Sequence, residues 1–309
     1  MGELVVVIVG PTCSGKSGLA IEIAKAFNSE IISADSRQFY KLIDIGTAKP
    51  SNFELEEIPH SFISSLELDE NFDVSSYEKQ ALIKIDNLIK RKQIPVITGG
   101  SGLYIKALVD GIVDLAADEN IRKELFAKKQ KFGNEFLYIE LFTVDPAAAK
   151  TMLPQNWKRV MRALEVFYIT GKSITEFHAL QIRNRNEYQF LQFGLNWKRE
   201  LLYKRIELRV DEMINLGLVE EVKSILAKGY SETLNSLNSV GYKEIIAYLK
   251  EEITLETAIS LIKRNTRRYA KRQLTWFRKD ERIHWFDIEN ELDLIQIKNE
   301  ILHNIKIAS

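Results

Sequence analysis

Residues 4 to 17 read LVVVIVGPTCSGKS, and the order of residue types in this stretch decides the fold. Leu4 to Val9 is an unbroken apolar, β-branched run stopped by Gly10 and Pro11. Such a run suits a strand covered on both faces, as in a parallel sheet. Residues 10–17, GPTCSGKS, fit the phosphate-loop pattern G-x-x-x-x-G-K-[ST]. Ser17 to Phe27 then places Leu19, Ile23 and Ala26 at helical spacing. In that context Gly10 and Gly15 give the loop backbone angles closed to other residues. The loop amides and the helix N-terminus turn toward an anion. Lys16 brings a mobile charge to the outer phosphates, and the Ser17 hydroxyl can hold a magnesium ion that bridges them. Gly10, Pro11, Thr12, Cys13, Ser14, Gly15, Lys16 and Ser17 are therefore the candidate phosphate contacts. Cys13 reads as a small residue filling space within the loop.

Outward from this loop the pattern continues. Glu30 to Ala34 reads as a second strand, Val74 to Lys92 as an amphipathic helix, and Ile94 to Thr98 as a third strand closed by Gly99 and Gly100. Strand, glycine turn, helix, strand is the pattern of βαβ units. The expectation is an α/β fold with a P-loop parallel-sheet core over residues 1–112 and 186–309. A mostly helical, locally basic insertion over 113–185 interrupts it. Gln189 to Leu195 reads as a strand, with helices dominating again from Arg199 to the end.

Composition narrows the setting. The chain has 309 residues, 45% apolar and 28% charged, which is ordinary for a globular protein. Its formal net charge is +0, so any nucleic-acid surface must come from local segregation of charge. The single cysteine cannot form an internal disulfide and fits a reducing compartment. The apolar run at the N-terminus is too short for a signal segment or a membrane span. The expectation is a cytoplasmic protein with no membrane partner, and nothing in the sequence requires more than a monomer.

A nucleotide hydrolase usually carries a metal-binding aspartate at the end of a second apolar strand. Here IPVIT, residues 94–98, runs into Gly99-Gly100-Ser101-Gly102 with no carboxylate. A carboxylate stands instead at Asp35, at the end of the second expected strand. Strand C-termini line the ligand crevice of such sheets, so Asp35 belongs near the loop. From position alone it could equally be a turn or N-cap aspartate.

Residues 263–279, KRNTRRYAKRQLTWFRK, carry eight basic side chains and no acid. Arg264, Arg268 and Arg272 repeat every four residues and share one helical face. Tyr269, Trp276 and Phe277 are interleaved. A second cluster, Lys158, Arg159 and Arg162, precedes ALEVFYITG. Guanidinium groups with aromatics suit phosphate contacts and base stacking. The alternative is a solvated helix face paired with acids from elsewhere in the chain.

Together these stretches resemble one family, the tRNA dimethylallyltransferases (isopentenyl-tRNA transferases). The matching stretches are GPTCSGKS at 10–17, DSRQFY at 35–40, DIGTAKPS at 44–51, GGSGLY at 99–104, KRVMRALEV at 158–166, RIELRVDEMINLGLVEEV at 205–222, VGYKE at 240–244 and NTRRYAKRQLTWFR at 265–278. They cover nearly the whole chain in the family's order.

The resemblance implies transfer of a dimethylallyl group from dimethylallyl diphosphate to N6 of adenine 37 in tRNA, beside the anticodon, with release of diphosphate. It implies Asp35 as general base, with Ser101 and Lys16 also catalytic, Arg209 on the diphosphate and Mg2+ as cofactor. It also implies tRNA contacts at Asp35, Ser36, Arg37, Gln38, Ser101, Arg122 and Lys158, Arg159, Val160, Met161 and Arg162. Arg268 and Arg272 join these from the basic face. Gln38 offers a donor and an acceptor for an adenine edge. Two departures are Ser101, where the family usually has Thr, and Cys13, where it usually has Ala. His60 is followed by Ser61 rather than a second histidine, which favours a structural role for His60.

Three other readings stay open on the residues alone. One is a prenyltransferase acting on free adenine nucleotides, which the basic stretches disfavour. Another is a small-molecule kinase, which the missing carboxylate after IPVIT disfavours. The third is a non-catalytic RNA-binding module, which Asp35 beside a phosphate loop disfavours.

Overall fold

The computed structural model describes residues 2–112, 115, 118–180 and 185–308. Two compact units divide the chain, residues 1–109 with 186–309 and residues 110–185. The expected start of the insertion at residue 113 lies outside the described residues.

In the larger unit, β1 (Glu3–Val9) leads through the loop into α1 (Lys16–Ala26), then β2 (Ile31–Ser33), α2 (Asn52–Glu57), β3 (His60–Ser61), α3 (Val74–Lys90), β4 (Val96–Gly99) and α4 (Gly102–Asp110). The insertion contributes α5 (Glu119–Val144), α6 (Pro146–Ala149), α7 (Trp157–Thr170) and α8 (Ile174–Leu180). The larger unit resumes with β5 (Tyr188–Trp197), α9 (Arg199–Asn215), α10 (Leu218–Ala227), α11 (Tyr242–Leu249), α12 (Leu255–Phe277), β6 (Ile283–Ile288) and α13 (Asp293–Ala308).

Among the described residues six strands form one sheet in the order β3-β2-β4-β1-β5-β6, and every pairing is parallel. The expected α/β class is therefore present. β1 lies in the interior between β4 and β5. Its side chains alternate between faces, as strand geometry requires. Val5, Val7 and Val9 join a core with α3, α10 and α11, whereas Val6 and Ile8 join a core with α1 and α13. Burial on both faces explains why β1 reads as continuous apolar sequence.

β6 was not among the expected strands. Its sequence IHWFDI buries Ile283, Phe286 and Ile288 and leaves His284 and Asp287 exposed, so only part of it carries a strand signal. It pairs along the outer side of β5, and that pairing makes it a strand. β3 is two residues long, too short for periodicity to register.

The smaller unit has its own core around Leu125, Leu137, Leu141, Val160 and Leu164. α5 is broken at Gly133, whose φ of 86° is left-handed. Among the described residues no helix is long and apolar enough to cross a membrane.

The turn after β4 is held where only glycine fits. A Cβ on Gly99 would collide with the carbonyl of Ala34 at the end of β2. Neither backbone can yield without breaking the β2–β4 pairing. Gly99→Ala is expected to destabilise the fold by about 1–3 kcal/mol or more, the cost of overpacking a well-packed site. A lowered urea midpoint at constant m-value is the readout; an unchanged midpoint would contradict this packing.

Candidate active site

The loop between β1 and α1 leaves the amides at the head of the helix without an acceptor among the described residues. Gly15 adopts φ 87° and caps α1 with no side-chain hydrogen bond, so the first amides of the helix have no local acceptor. Cys13 is also left-handed, at φ 63°. The loop's outward polar groups are tied from behind. Trp197 Nε1 donates to the Ser14 carbonyl at 2.8 Å, and Arg205 Nε donates to the Cys13 carbonyl at 2.8 Å. Arg205 also lies over the Trp197 ring, 4.4 Å from its centroid, and pairs with Glu291. Thr12 N donates to Gln273 Oε1 at 2.9 Å, and Gln273 Nε2 donates to the Gly100 carbonyl at 2.9 Å. One buried amide on α12 thus fixes the phosphate loop to the turn after β4.

These residues open onto a cavity of about 620 Å³. Thr12 through Ser17 line it, with Asp35, Ser36, Arg37 and Gln38 from the turn after β2. Arg205 and Arg209 enter from α9, and Tyr269 and Arg272 from α12. The sequence-predicted loop, Asp35 and Arg209 therefore meet in one place. Gly10 and Pro11 pack beneath the loop rather than along the cavity, and the Pro11 carbonyl accepts from Lys16 Nζ at 3.2 Å.

Burial lowers the Lys16 pKa, Asp35 and Cys13 raise it, and Arg209 lowers it further. Lys16 makes no ion pair among the described residues, and a bound phosphate would give it one. Arg209 makes no ion pair among the described residues, with neither Asp211, which Lys263 engages at 2.6 Å, nor Glu212. The Arg209 guanidinium is available to a ligand.

Two carboxylates line the cavity, Asp35 and Glu54. Glu54 is occupied: its Oε2 accepts from the Ser51 amide and hydroxyl, each at 2.8 Å. Among the described residues Asp35 accepts only the Arg37 amide, on Oδ1 at 3.0 Å, and Oδ2 has no partner. His60 also lines the cavity, but its Nδ1 donates to the Ile58 carbonyl at 2.7 Å and burial lowers its pKa, so it sits as a neutral, tethered ring.

Ser101 stands behind the turn. Its Oγ accepts the Ser36 amide at 3.0 Å and donates to the Ser36 hydroxyl at 3.3 Å. The Gln38 amide donates to the carbonyls of Thr47 and Ala48 at 3.2 and 3.1 Å, so its hydrogens hold the neighbouring loop. That loop is pinned in turn by Glu221, whose carboxylate accepts the amides of Asp44, Ile45 and Gly46 and the hydroxyl of Tyr242.

The basic face divides cleanly. Lys263 pairs with Asp211 and Arg267 with Glu207, both on α9. Arg264, Arg268 and Arg272 are exposed and make no ion pair among the described residues. Arg272 reaches the cavity edge and lies over Tyr269, 5.7 Å from its centroid. Burial pushes the Tyr269 phenol up, and Asp35 adds to that shift.

In the smaller unit, Arg122 and Arg162 both pair with Glu165, which is 2% exposed, at 2.8 and 2.7 Å. Lys158 and Arg159 are exposed and Met161 is half-buried. Val160 is corrected: it is fully buried in the helical core, so it cannot touch RNA and serves packing instead.

Sequence reasoning missed Arg205, Gln273, Glu221 and Tyr242. Arg205 had a signal, since it stands four residues before Arg209 and shares its face. Gln273 interrupted the basic run, but nothing in the sequence gave it a partner.

Among the described residues no cluster of three or more His, Cys, Asp or Glu could hold a metal. The exposed Ser17 hydroxyl lines the cavity at the first turn of α1. One hydroxyl plus ligand phosphates is a donor set that suits magnesium, which keeps its waters and binds few protein oxygens.

The fold and this loop define an α/β protein with a P-loop-like core. The model of the IPP transferase family matches residues 38–280. The chain is 45% identical over 306 residues to the tRNA dimethylallyltransferase of Thermoanaerobacter sp. (strain X514), covering 98% of this chain and 97% of that one. It resembles the solved tRNA isopentenylpyrophosphate transferase of Bacillus halodurans at 38% identity with a TM-score of 0.71, covering 99% and 97% of the two chains. A eukaryotic dimethylallyltransferase solved acting on tRNA is similar with a TM-score of 0.80 at 28% identity, covering 98% of this chain and 80% of that one. The chain belongs to the IPP transferase family.

The position of Lys16 sets a pH dependence. Its cation is present below its lowered pKa and lost as pH rises through it, so anion affinity should fall before the ordinary value of 10.5 is reached. Titration calorimetry with inorganic diphosphate and magnesium should record weakening binding on the alkaline side. Lys16→Arg should bind less well at neutral pH yet lose that alkaline decline. An equal decline in both proteins would show that another group titrates.

Proposed function

We propose that this protein is a tRNA dimethylallyltransferase that moves the dimethylallyl group from dimethylallyl diphosphate to N6 of adenine 37 and releases diphosphate. The observation that carries this reading is the cavity itself. It joins a loop of free amides, an arginine with no ion pair and a carboxylate with one oxygen unengaged, all among the described residues.

Adenine N6 is a weak nucleophile because its lone pair is delocalised into the ring. As N6 attacks the allylic carbon, the C–O bond to diphosphate breaks and an N–C bond forms. Asp35 accepts the proton that N6 sheds, acting as general base. Lys16 and the loop amides hold the diphosphate as it gains charge, and Arg209 grips it from α9. The Ser17 hydroxyl would hold a magnesium ion, which when bound would supply further neutralisation of that charge. Ser101 keeps Ser36, and with it the Asp35 turn, in place. Tyr269, with its proton held firmly by burial, can donate a hydrogen bond beside Asp35 but is a poor base.

The target base is stacked in an anticodon loop and must be flipped out to reach Asp35. Asp35, Ser36, Arg37 and Gln38 stand where it would arrive. Arg268 and Arg272 carry charge for the RNA backbone. The insertion, with Arg122, Lys158, Arg159, Met161 and Arg162, supplies further RNA contacts. The anticodon stem-loop is the element recognised, and a monomer in the cytoplasm suffices for this chemistry.

A kinase reading is weakened by the same cavity, because the carboxylate beside the nest stands on the β2 turn and β4 ends without one. Labelled dimethylallyl diphosphate, magnesium and unmodified tRNA should yield label on adenosine 37. Label on free nucleotide alone, or ATP consumption, would replace this reading. Asp35→Asn should lower turnover by about two to four orders of magnitude, the usual contribution of a general base. Diphosphate should still bind, and near-normal turnover would overturn the assignment of Asp35.

Charge removal at Arg268 and Arg272 should weaken tRNA binding and reduce the salt slope by roughly 1 for each RNA phosphate that goes without its arginine. A slope identical to that of the unaltered protein would return these arginines to a solvated surface.

A further inference from the structure

The helical insertion contains a second cavity, of about 450 Å³, between α5 and α7. Its aromatic walls are Phe126 and Trp157, with ring centroids 6.1 Å apart. Phe126 is 44% exposed, and among the exposed aromatics of α5 it is the one that lines this cavity. Arg122, Lys123, Lys158 and Arg162 complete the rim, and Lys129 stands 4.7 Å from the Trp157 ring centroid. The one carboxylate among the described lining residues is Glu165, already shared by Arg122 and Arg162. Lys123, Lys129 and Lys158 make no ion pair among the described residues. Two of these lysines instead cover ring faces: Lys129 also lies 5.7 Å from the Phe126 centroid, and Lys158 lies 5.6 Å from that of Trp157.

These features restrict the occupant. Exposed ring faces call for a flat apolar or aromatic group, and the uncompensated ammonium groups call for negative charge beside it. A nucleotide has both, as a base that stacks and a phosphate that pairs. The guanidinium groups are positioned by a buried acid, so the rim is fixed before a ligand arrives. The lysines are long and can swing from the rings to phosphate when a base enters.

We propose that Phe126 and Trp157 form a stacking site for one unpaired base of the substrate RNA, separate from the base that reacts. The occupant is a splayed nucleotide of the RNA loop whose phosphate is held by Lys123, Lys129 or Lys158. This rests on the reading of RNA as substrate and adds to it a second recognition point, one that reads a base already unstacked.

The test is binding of an anticodon stem-loop RNA, measured by fluorescence anisotropy, to the full chain. Phe126→Leu keeps the apolar bulk and removes the π face at an exposed position. It should weaken binding about five- to fiftyfold, in line with the loss of one stacked base. Trp157→Ala should do the same, and Trp157→Phe should recover much of the loss. Phe132→Leu, at an exposed aromatic on the same helix outside the cavity, should bind like the unaltered protein.

RNAs with each loop base removed in turn then identify the partner. One abasic position should weaken binding to the unaltered protein and cost nothing further with Phe126→Leu. Unchanged affinity for Phe126→Leu, or the same abasic profile in both proteins, would overturn the stacking site. Failure of the unaltered protein to bind any stem-loop would instead remove the RNA reading on which the site rests. Should Trp157→Ala lower the unfolding midpoint, Phe126→Leu and Trp157→Phe still decide the outcome.

Discussion

A phosphate loop has to keep several backbone donors unsatisfied and facing a ligand, a state that folded chains otherwise avoid. This chain does it by anchoring the groups around those donors. The Ser14 and Cys13 carbonyls are drawn outward by Trp197 and Arg205, and the Thr12 amide is drawn onto Gln273. Gly15 supplies the left-handed turn that carries the chain into α1. With the outward groups committed, the amides at the helix start have no protein acceptor. Gln273 also accounts for Gly100, because a Cβ there would occupy the space of its side-chain nitrogen. The phosphate loop, the β4 turn and the middle of α12 thus form one rigid assembly, and the geometry of the reaction depends on it.

A second assembly positions the carboxylate. Glu221 gathers three consecutive amides at Asp44, Ile45 and Gly46, in the manner of a bound anion. Tyr242 donates to the same carboxylate, and its ring lies so close to Gly46 that no side chain would fit there. The loop fixed in this way presents the Thr47 and Ala48 carbonyls to Gln38, three residues after Asp35. Three separated stretches, at 44–51, 205–222 and 240–244, therefore belong to one hydrogen-bonded unit. Their shared task is to hold the turn that carries Asp35.

This explains what could and could not be read from the sequence. β1, the loop and α1 are local: each residue's role follows from neighbours a few positions away. Asp35 followed from its place at a strand end. Gln273 did not, because its partners are Thr12 and Gly100, 261 and 173 positions away. Glu221 looked like one acid among several on a helix until the Asp44 loop came to lie against it. β6 is a strand because β5 offers it an edge, which no window of its own residues records. Val160 erred in the other direction: a stretch carried over whole included a position whose helical phase points into the core.

Charge followed the same logic at the level of a whole face. In a chain of net charge +0, eight basic residues between 263 and 279 could have been neutralised throughout. α9 decides which are. Arg205 and Arg209 lie one turn apart and line the cavity beside the loop, whereas Glu207 and Asp211, also one turn apart, meet α12. The acids of α9 neutralise Lys263 and Arg267 and reach no further. Arg264, Arg268 and Arg272, a third of a turn away, keep their charge. A single helix thus turns two cations toward the cavity and its anions toward α12, and the cations left free on α12 form a continuous basic face. Arg272 carries that face to the rim of the cavity, next to Tyr269. The same pair of helices thus decides which cations stay free and brings Arg205, Arg209 and Arg272 to one cavity.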